Sequence, residues 1–145
     1  MARDFFSTDE KKRILEAILD AERLTSGEIQ VHLENHARKP LAERVQEVFN
    51  ILNISDTSRR NGVLFYLAVK DRQFAILGDA GIDQVVEPDF WDNVRQHMEL
   101  MFREGKFADG ICDGVRMAGQ QLVRYFPITK DDRNELPDDI SYGNH

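Results

Sequence analysis

Gly62-Val63-Leu64-Phe65-Tyr66-Leu67-Ala68-Val69 is almost wholly apolar, the composition of a central strand covered on both faces. Lys70-Asp71-Arg72-Gln73 follows as a tight turn into Phe74-Ala75-Ile76-Leu77, so the two apolar runs read as a hairpin. Gly78-Asp79-Ala80-Gly81 stops the second of them.

Working back from Gly62, Ser55 to Asn61 is a polar loop, preceded by a helix that Pro40 opens at a favoured first-turn position. Leu41, Val45, Val48, Phe49 and Leu52 form the apolar stripe of that helix. Before it, Glu28 to Leu33 alternates strictly. Ile29, Val31 and Leu33 face one way and Glu28, Gln30 and His32 the other, which predicts a strand with one buried face. Strand, helix and strand make one βαβ crossover, so the first two strands should run parallel and the third antiparallel to the second.

Helical patterns flank this unit. Ser7 and Glu10 have capping-box spacing, and Ile14, Leu15, Ile18 and Leu19 repeat at helical period up to about Leu24. Beyond Pro88, the residues Phe90, Trp91, Val94, Met98, Met101 and Phe102 lie on one stripe, with Gly105 as the C-cap. Phe107, Ile111, Val115, Ala118, Leu122 and Tyr125 mark a last helix ending before Pro127. The expected fold is a three-layer α/β/α sandwich with a small mixed sheet, spanning residues 1–127. Residues 128–145, with Asp131, Asp132, Glu135, Asp138 and Asp139, read as an acidic, flexible tail.

The chain of 145 residues has room for one core, and its 41% hydrophobic content is ordinary for a globular domain. A net charge of −7 repels phosphate backbones and anionic lipid, which disfavours nucleic-acid and membrane partners. The single cysteine, Cys112, excludes an internal disulfide and a structural zinc site. Met1 to Phe6 lacks the apolar stretch of a secretory signal, and no run approaches the roughly 20 apolar residues of a membrane span. These features predict a cytoplasmic monomer.

The strand directions place the start of the first strand, the start of the second and the end of the third at one edge of the sheet. That edge gathers Ser26, Gly27, Glu28, Arg60, Asn61, Gly62, Gly78, Asp79, Gly81 and Asp83. Oxygen ligands on adjustable loops are what Ca²⁺ or Mg²⁺ requires, so Glu28, Asn61, Asp79 and Asp83 are the candidate metal ligands. A cation held there with Arg60 beside it could also receive a phosphate. The plainer reading is turn chemistry, since Asn or Asp beside Gly is common in tight turns. At the opposite edge, Glu34, Asn35, His36 and the Lys70-Asp71-Arg72 turn read as solvated residues. Asp109 and Asp113 are four apart around Cys112, a spacing at which like charges cost a little, and Asp109 reads as an early-turn helix carboxylate favoured by the dipole.

Several enzyme signatures are missing. Cys112 has Ala118 six positions on, where a cysteine phosphatase loop needs Arg. No Asp-x-Asp nucleophile follows a strand, and there is no Gly-x-Ser-x-Gly elbow, P-loop or His-Glu-x-x-His. Gly78 to Gly81 lacks the spacing of a dinucleotide fingerprint.

Four segments in order carry a family resemblance. They are Ser26-Gly27-Glu28-Ile29, Asn61-Gly62-Val63-Leu64, Ile76-Leu77-Gly78-Asp79-Ala80-Gly81-Ile82-Asp83, and Phe102-Arg103-Glu104-Gly105-Lys106-Phe107-Ala108-Asp109-Gly110-Ile111. Together they resemble the TPM domain, from about Phe6 to Phe126. The resemblance implies a three-layer α/β/α fold, binding of divalent cations, and a phosphatase label that not all members share. Glu28, Asn61 and Asp79 match motif positions and are where a family-type site would lie. Without a signal peptide or membrane helix the chain looks like the short soluble bacterial type. Three functions follow in order: a cation-binding module acting through a protein partner, a metal-dependent phosphatase using the same edge, and an interaction domain with no ligand.

Overall fold

The computed structural model describes residues 2–128 and 140–143. After a 3-10 turn at Ala2–Asp4, the elements run α1 (Thr8–Glu22), β1 (Glu28–Glu34), α2 (Leu41–Ile51), β2 (Gly62–Ala68), β3 (Gln73–Gly78), α3 (Ala80–Asp83), α4 (Phe90–Arg103), α5 (Phe107–Tyr125) and β4 (Ile140–Tyr142). The sheet order is β3-β2-β1-β4. β1 is parallel to both β2 and β4, and β3 is antiparallel to β2.

Alternation along the strands sorts side chains into two cores. Ile29, Val31 and Leu33 of β1, with Val63, Phe65 and Leu67 of β2, pack against α1, α4 and α5. Leu64, Tyr66 and Ala68 of β2 meet Val45, Val48 and Phe49 of α2 on the other face. The expected three-layer α/β/α sandwich is therefore the architecture.

Local signals act where the sequence placed them. The Ser7 hydroxyl accepts from the Glu10 N–H at 3.1 Å while Glu10 Oε1 accepts from the Ser7 N–H at 2.9 Å, a complete capping box on α1. Gly105 sits at φ 77° and closes α4 in a Schellman turn. Its N–H donates to the Phe102 carbonyl and the Lys106 N–H to the Met101 carbonyl.

Three expectations are corrected. First, β1 is buried along its whole length, not on one face. Gln30, His32 and Glu34 point toward α2, and a helix there must cover them. Second, Glu34 is not a solvated edge residue but 0% exposed, enclosed in a hydrogen-bonded network. The stop after β3 comes at Gly78 as the sequence indicates, and the chain then winds into the short helix α3, with the Asp79 carboxylate capping the Ala80 N–H at 2.8 Å.

Third, part of the presumed tail is structure. Ile140–Tyr142 pairs along Val31–Leu33 as a parallel edge strand, and Ile140 joins the core. The acidic stretch 129–139 lies outside the described residues. Asp109 and Asp113 share no role, because each faces a different neighbouring helix. Asp109 accepts from Arg13 of α1 at 2.7 Å, and Asp113 pairs with His97 of α4 at 2.8 Å.

Candidate functional site

The amino edge of the sheet is assembled by backbone register. Glu28 stands opposite Gly62 across β1 and β2, and the Asp79 N–H donates to the Gly62 carbonyl at 2.9 Å. Glu28, Asn61 and Asp79 are thus brought to one corner and are all buried. Asp83 lies one turn further along α3, is exposed, and accepts from the Trp91 indole N–H at 3.1 Å.

The 57–61 loop is fastened to this corner from both sides. The Thr57 hydroxyl accepts from the Asn61 N–H at 3.1 Å, and the Arg60 carbonyl accepts from the Gly81 N–H at 2.7 Å. Gly81 is required by proximity. A Cβ there would lie 2.0 Å from the Arg59 carbonyl oxygen and 2.6 Å from that of Arg60.

Two features set the chemistry of the corner. Arg60 donates to both oxygens of Asp79, from Nε to Oδ2 at 2.6 Å and from Nη2 to Oδ1 at 2.8 Å. The bond to Asp79 raises the Arg60 pKa above its ordinary value. Asn61, 1% exposed, donates from Nδ2 to the Ser26 hydroxyl at 3.1 Å, while its Oδ1 is buried with no hydrogen-bond partner. A buried carbonyl oxygen without a donor costs about 1–3 kcal/mol. A hard cation is one partner that would relieve that cost, and Glu28 and Asp79 are the other buried oxygen-bearing side chains at this corner. Among the described residues, no group of three or more His, Cys, Asp or Glu is placed to hold a metal ion.

A second polar centre, not anticipated from sequence, lies toward the other end of β1. Glu34 Oε2 accepts from Arg44 Nε at 2.7 Å and from the Tyr66 hydroxyl at 2.5 Å, and Oε1 accepts from Arg44 Nη2 at 2.8 Å. His32 Nε2 is 3.0 Å from Glu34 Oε1 and Nδ1 is 2.8 Å from the Ser141 hydroxyl of β4. An ionised carboxylate only accepts, so Nε2 carries the proton and, in the neutral ring, Ser141 donates to Nδ1. Burial, the largest influence on Glu34, opposes its charge, but the bonds from Arg44, Tyr66 and His32 outweigh it and hold the pKa at about 2. Burial, aided by Glu34, pushes the Tyr66 hydroxyl pKa up. The centre is saturated and closed, and Gly143 lies against Glu34 so closely that a Cβ would fall 2.1 Å from Oε1. It reads as a structural lock. The detectable signal was the crossover itself, which puts the polar face of β1 beneath a helix carrying Arg44.

Cys112 is buried in the core, and burial raises its thiol pKa, as expected of an inert cysteine.

Comparison with known proteins fits this picture. The model of the TPM domain family matches residues 2–121. The chain belongs to the TPM domain family. The structure of BA42 protein from the psychrophilic bacterium Bizionia argentinensis is 47% identical, covers 96% of both chains and superposes with a TM-score of 0.89. Two more distant structures share the fold. The N-terminal domain of cg2496 protein from Corynebacterium glutamicum is 14% identical, with a TM-score of 0.63 over 98% of this chain and 84% of that one. An N-terminal domain from P. gingivalis is 20% identical, with a TM-score of 0.61 over 83% of this chain and 78% of that one. Comparison with curated protein sequences finds no match. In this TPM domain, no helix among the described residues is long and apolar enough to cross a membrane.

Proposed function

We propose that this TPM domain is a divalent-cation-binding module that acts through a protein partner, taking Ca²⁺ or Mg²⁺ at the corner of Glu28, Asn61 and Asp79. The observation that carries the reading is the buried Asn61 Oδ1, which has no hydrogen-bond donor among the described residues and lies at the corner shared with the buried carboxylates of Glu28 and Asp79. Arg60 supports it from a different direction. A permanent cation already sits on Asp79, and its side chain is 54% exposed, so it can swing out and leave the carboxylate to a metal. Asp83 is the outermost of the candidate ligands and would join through its exposed carboxylate.

Titration with Ca²⁺ or Mg²⁺, followed by backbone amide shifts, tests the proposal. Shifts concentrated in residues 26–28, 60–62 and 78–83 support it. Saturating millimolar cation with those amides unmoved would remove it.

The phosphatase reading stands second, favoured by the same exposed Arg60, whose guanidinium suits a phosphate beside a cation. Hydrolysis of a chromogenic phosphate ester should then fall severely in Asp79→Ala; activity equal to the parent protein's would dismiss it.

A further inference from the structure

The sheet has two edges, and they are treated differently. β4 is three residues long, and the Tyr142 ring on it is covered by the cationic groups of Arg3 and Lys11. β3 is six residues long, carries no proline, lysine or carboxylate, and has no strand beyond it among the described residues. Long uncharged edges are templates for another strand unless something blocks them.

The backbone of β3 is presented outward. The Asp79 N–H bonds to the Gly62 carbonyl, and alternation in an antiparallel pair carries that pattern to Leu64–Leu77 and Tyr66–Ala75. The N–H and C=O groups of Phe74 and Ile76 therefore point away from β2, and among the described residues no backbone group outside the strand ladder bonds them.

An open groove of about 870 Å³ begins beside this strand. Its apolar surface includes Phe5, Leu41, Phe74 and Phe102. A smaller pocket continues it past Ala75 and Ile76 to Trp91, sharing Leu41, Phe74 and Arg95. Leu41 belongs to the α2 layer, whereas Trp91 and Arg95 belong to α4 on the opposite face. Space that touches both layers must lie off the edge of β3, alongside its free backbone groups.

The charges choose the occupant. In a chain of net charge −7, Arg72, Arg95 and Arg103 all line the groove. Arg95 is shared with Asp92 at 3.2 Å and Glu99 lies nearby, but Arg72 and Arg103 have no ion-pair partner among the described residues. Gln73 to Gly78 contains no carboxylate, so pairing of β3 with a second copy would bring only the flanking Asp71 and Asp79, which are already held by His36 and Ala37 and by Arg60.

We propose that the β3 edge docks an extended acidic segment of a partner protein, which adds to the sheet as a fifth strand. Its backbone bonds Phe74 and Ile76, alternate apolar side chains enter the groove over Phe74 and Phe102, and carboxylates near the hairpin turn meet Arg72 and Arg103. The proposal rests on the reading that the domain acts through a partner, and it names the chemistry of that partner.

The test pans a display library of random peptides against the intact chain, in EDTA and again in millimolar Ca²⁺, then maps the enriched peptides by amide shifts. Expected are sequences that alternate apolar and acidic residues, shifting Phe74, Ile76 and Arg72 and slowing exchange of the outward amides. The exposed double variant Arg72→Glu/Arg103→Glu should weaken them by roughly tenfold while leaving the remaining amide spectrum unchanged. A peptide N-methylated at alternate backbone positions should fail to bind. No enrichment of acidic peptides, shifts mapping elsewhere, or equal affinity of the N-methylated peptide (the behaviour of a simple anionic amphiphile) overturns the proposal. So does a β3-paired dimer of the free chain in sedimentation. Peptide binding in EDTA without any cation response would sink the metal site and leave the docking edge standing.

Discussion

Arg60 grips Asp79 through two parallel hydrogen bonds, at 2.6 and 2.8 Å, at the corner proposed to take a cation. The pair has a competitive consequence. A guanidinium and a divalent cation cannot both claim the same carboxylate oxygens at full strength. Replacing the arginine by a neutral side chain should therefore raise cation affinity, by roughly fivefold or more if the pair contributes a modest coupling. Titration of Arg60→Gln by isothermal calorimetry checks this, and unchanged or weaker binding would contradict it.

Asn61 offers a test in the opposite direction. Its Oδ1 is buried without a donor, so Asn61→Leu removes a polar group that the apo fold does not satisfy. Stability should change by less than about 1 kcal/mol despite loss of the bond to Ser26. The cation response should vanish. Urea denaturation and the same titration, run on one variant, separate a binding role from a folding role.

The Glu34–Arg44 pair is expected to behave as a lock. Arg44→Met leaves the buried Glu34 carboxylate without its counter-charge and should cost about 3–5 kcal/mol, whereas Glu34→Gln should cost less, because Arg44 keeps its pair with Glu47. The double replacement Glu34→Leu/Arg44→Met should cost clearly less than the sum of the two single changes. Chemical denaturation of the four proteins in a cycle measures the coupling; additive losses would show that the pair is not a unit.

The same carboxylate predicts the acid limb of stability. Glu34 is held at about 2 against an ordinary 4.5, so its folded pKa is depressed. The contribution is fully present above pH 4.5 and is lost as the pH falls toward 2. Its size is on the order of 3 kcal/mol. Unfolding free energies measured across that window should decline more steeply in the parent protein than in Glu34→Leu/Arg44→Met.

Two glycines should respond differently to alanine. At Gly81 the new methyl meets the Arg59 and Arg60 carbonyls, which are backbone and cannot step aside, so Gly81→Ala should cost about 1–3 kcal/mol and disturb the 57–61 loop. At Gly105 the space is open but φ is 77°, so Gly105→Ala should cost about 1 kcal/mol of backbone strain and leave the corner intact. Thermal unfolding and the amide spectrum of residues 57–62 distinguish the two.

What was legible in the sequence is what depends on short-range pattern. The apolar run of β2, the hairpin after it, the crossover that makes β1 parallel to β2, the capping box of Ser7 and the turn at Gly105 all follow from local steric and hydrogen-bonding preferences. The topology alone also brought Glu28, Asn61 and Asp79 to one corner, because strand direction decides which ends meet. Other features were set by contacts distant in the chain. Arg44 reaches across the α2–sheet interface and makes buried Glu34 tolerable, although alternation by itself called that face of β1 polar and open. Ile140 to Tyr142 becomes a strand because β1 has an unpaired edge to receive it; nothing in those few residues declares this. Asp109 and Asp113 part company because α1 and α4 flank α5 on different sides. The candidate corner shows both levels in one place. Sequence placed the oxygen donors there, but only the packed loop shows Arg60 holding Asp79 and Asn61 Oδ1 left without a donor, since both depend on where the 57–61 backbone is pressed against Gly81.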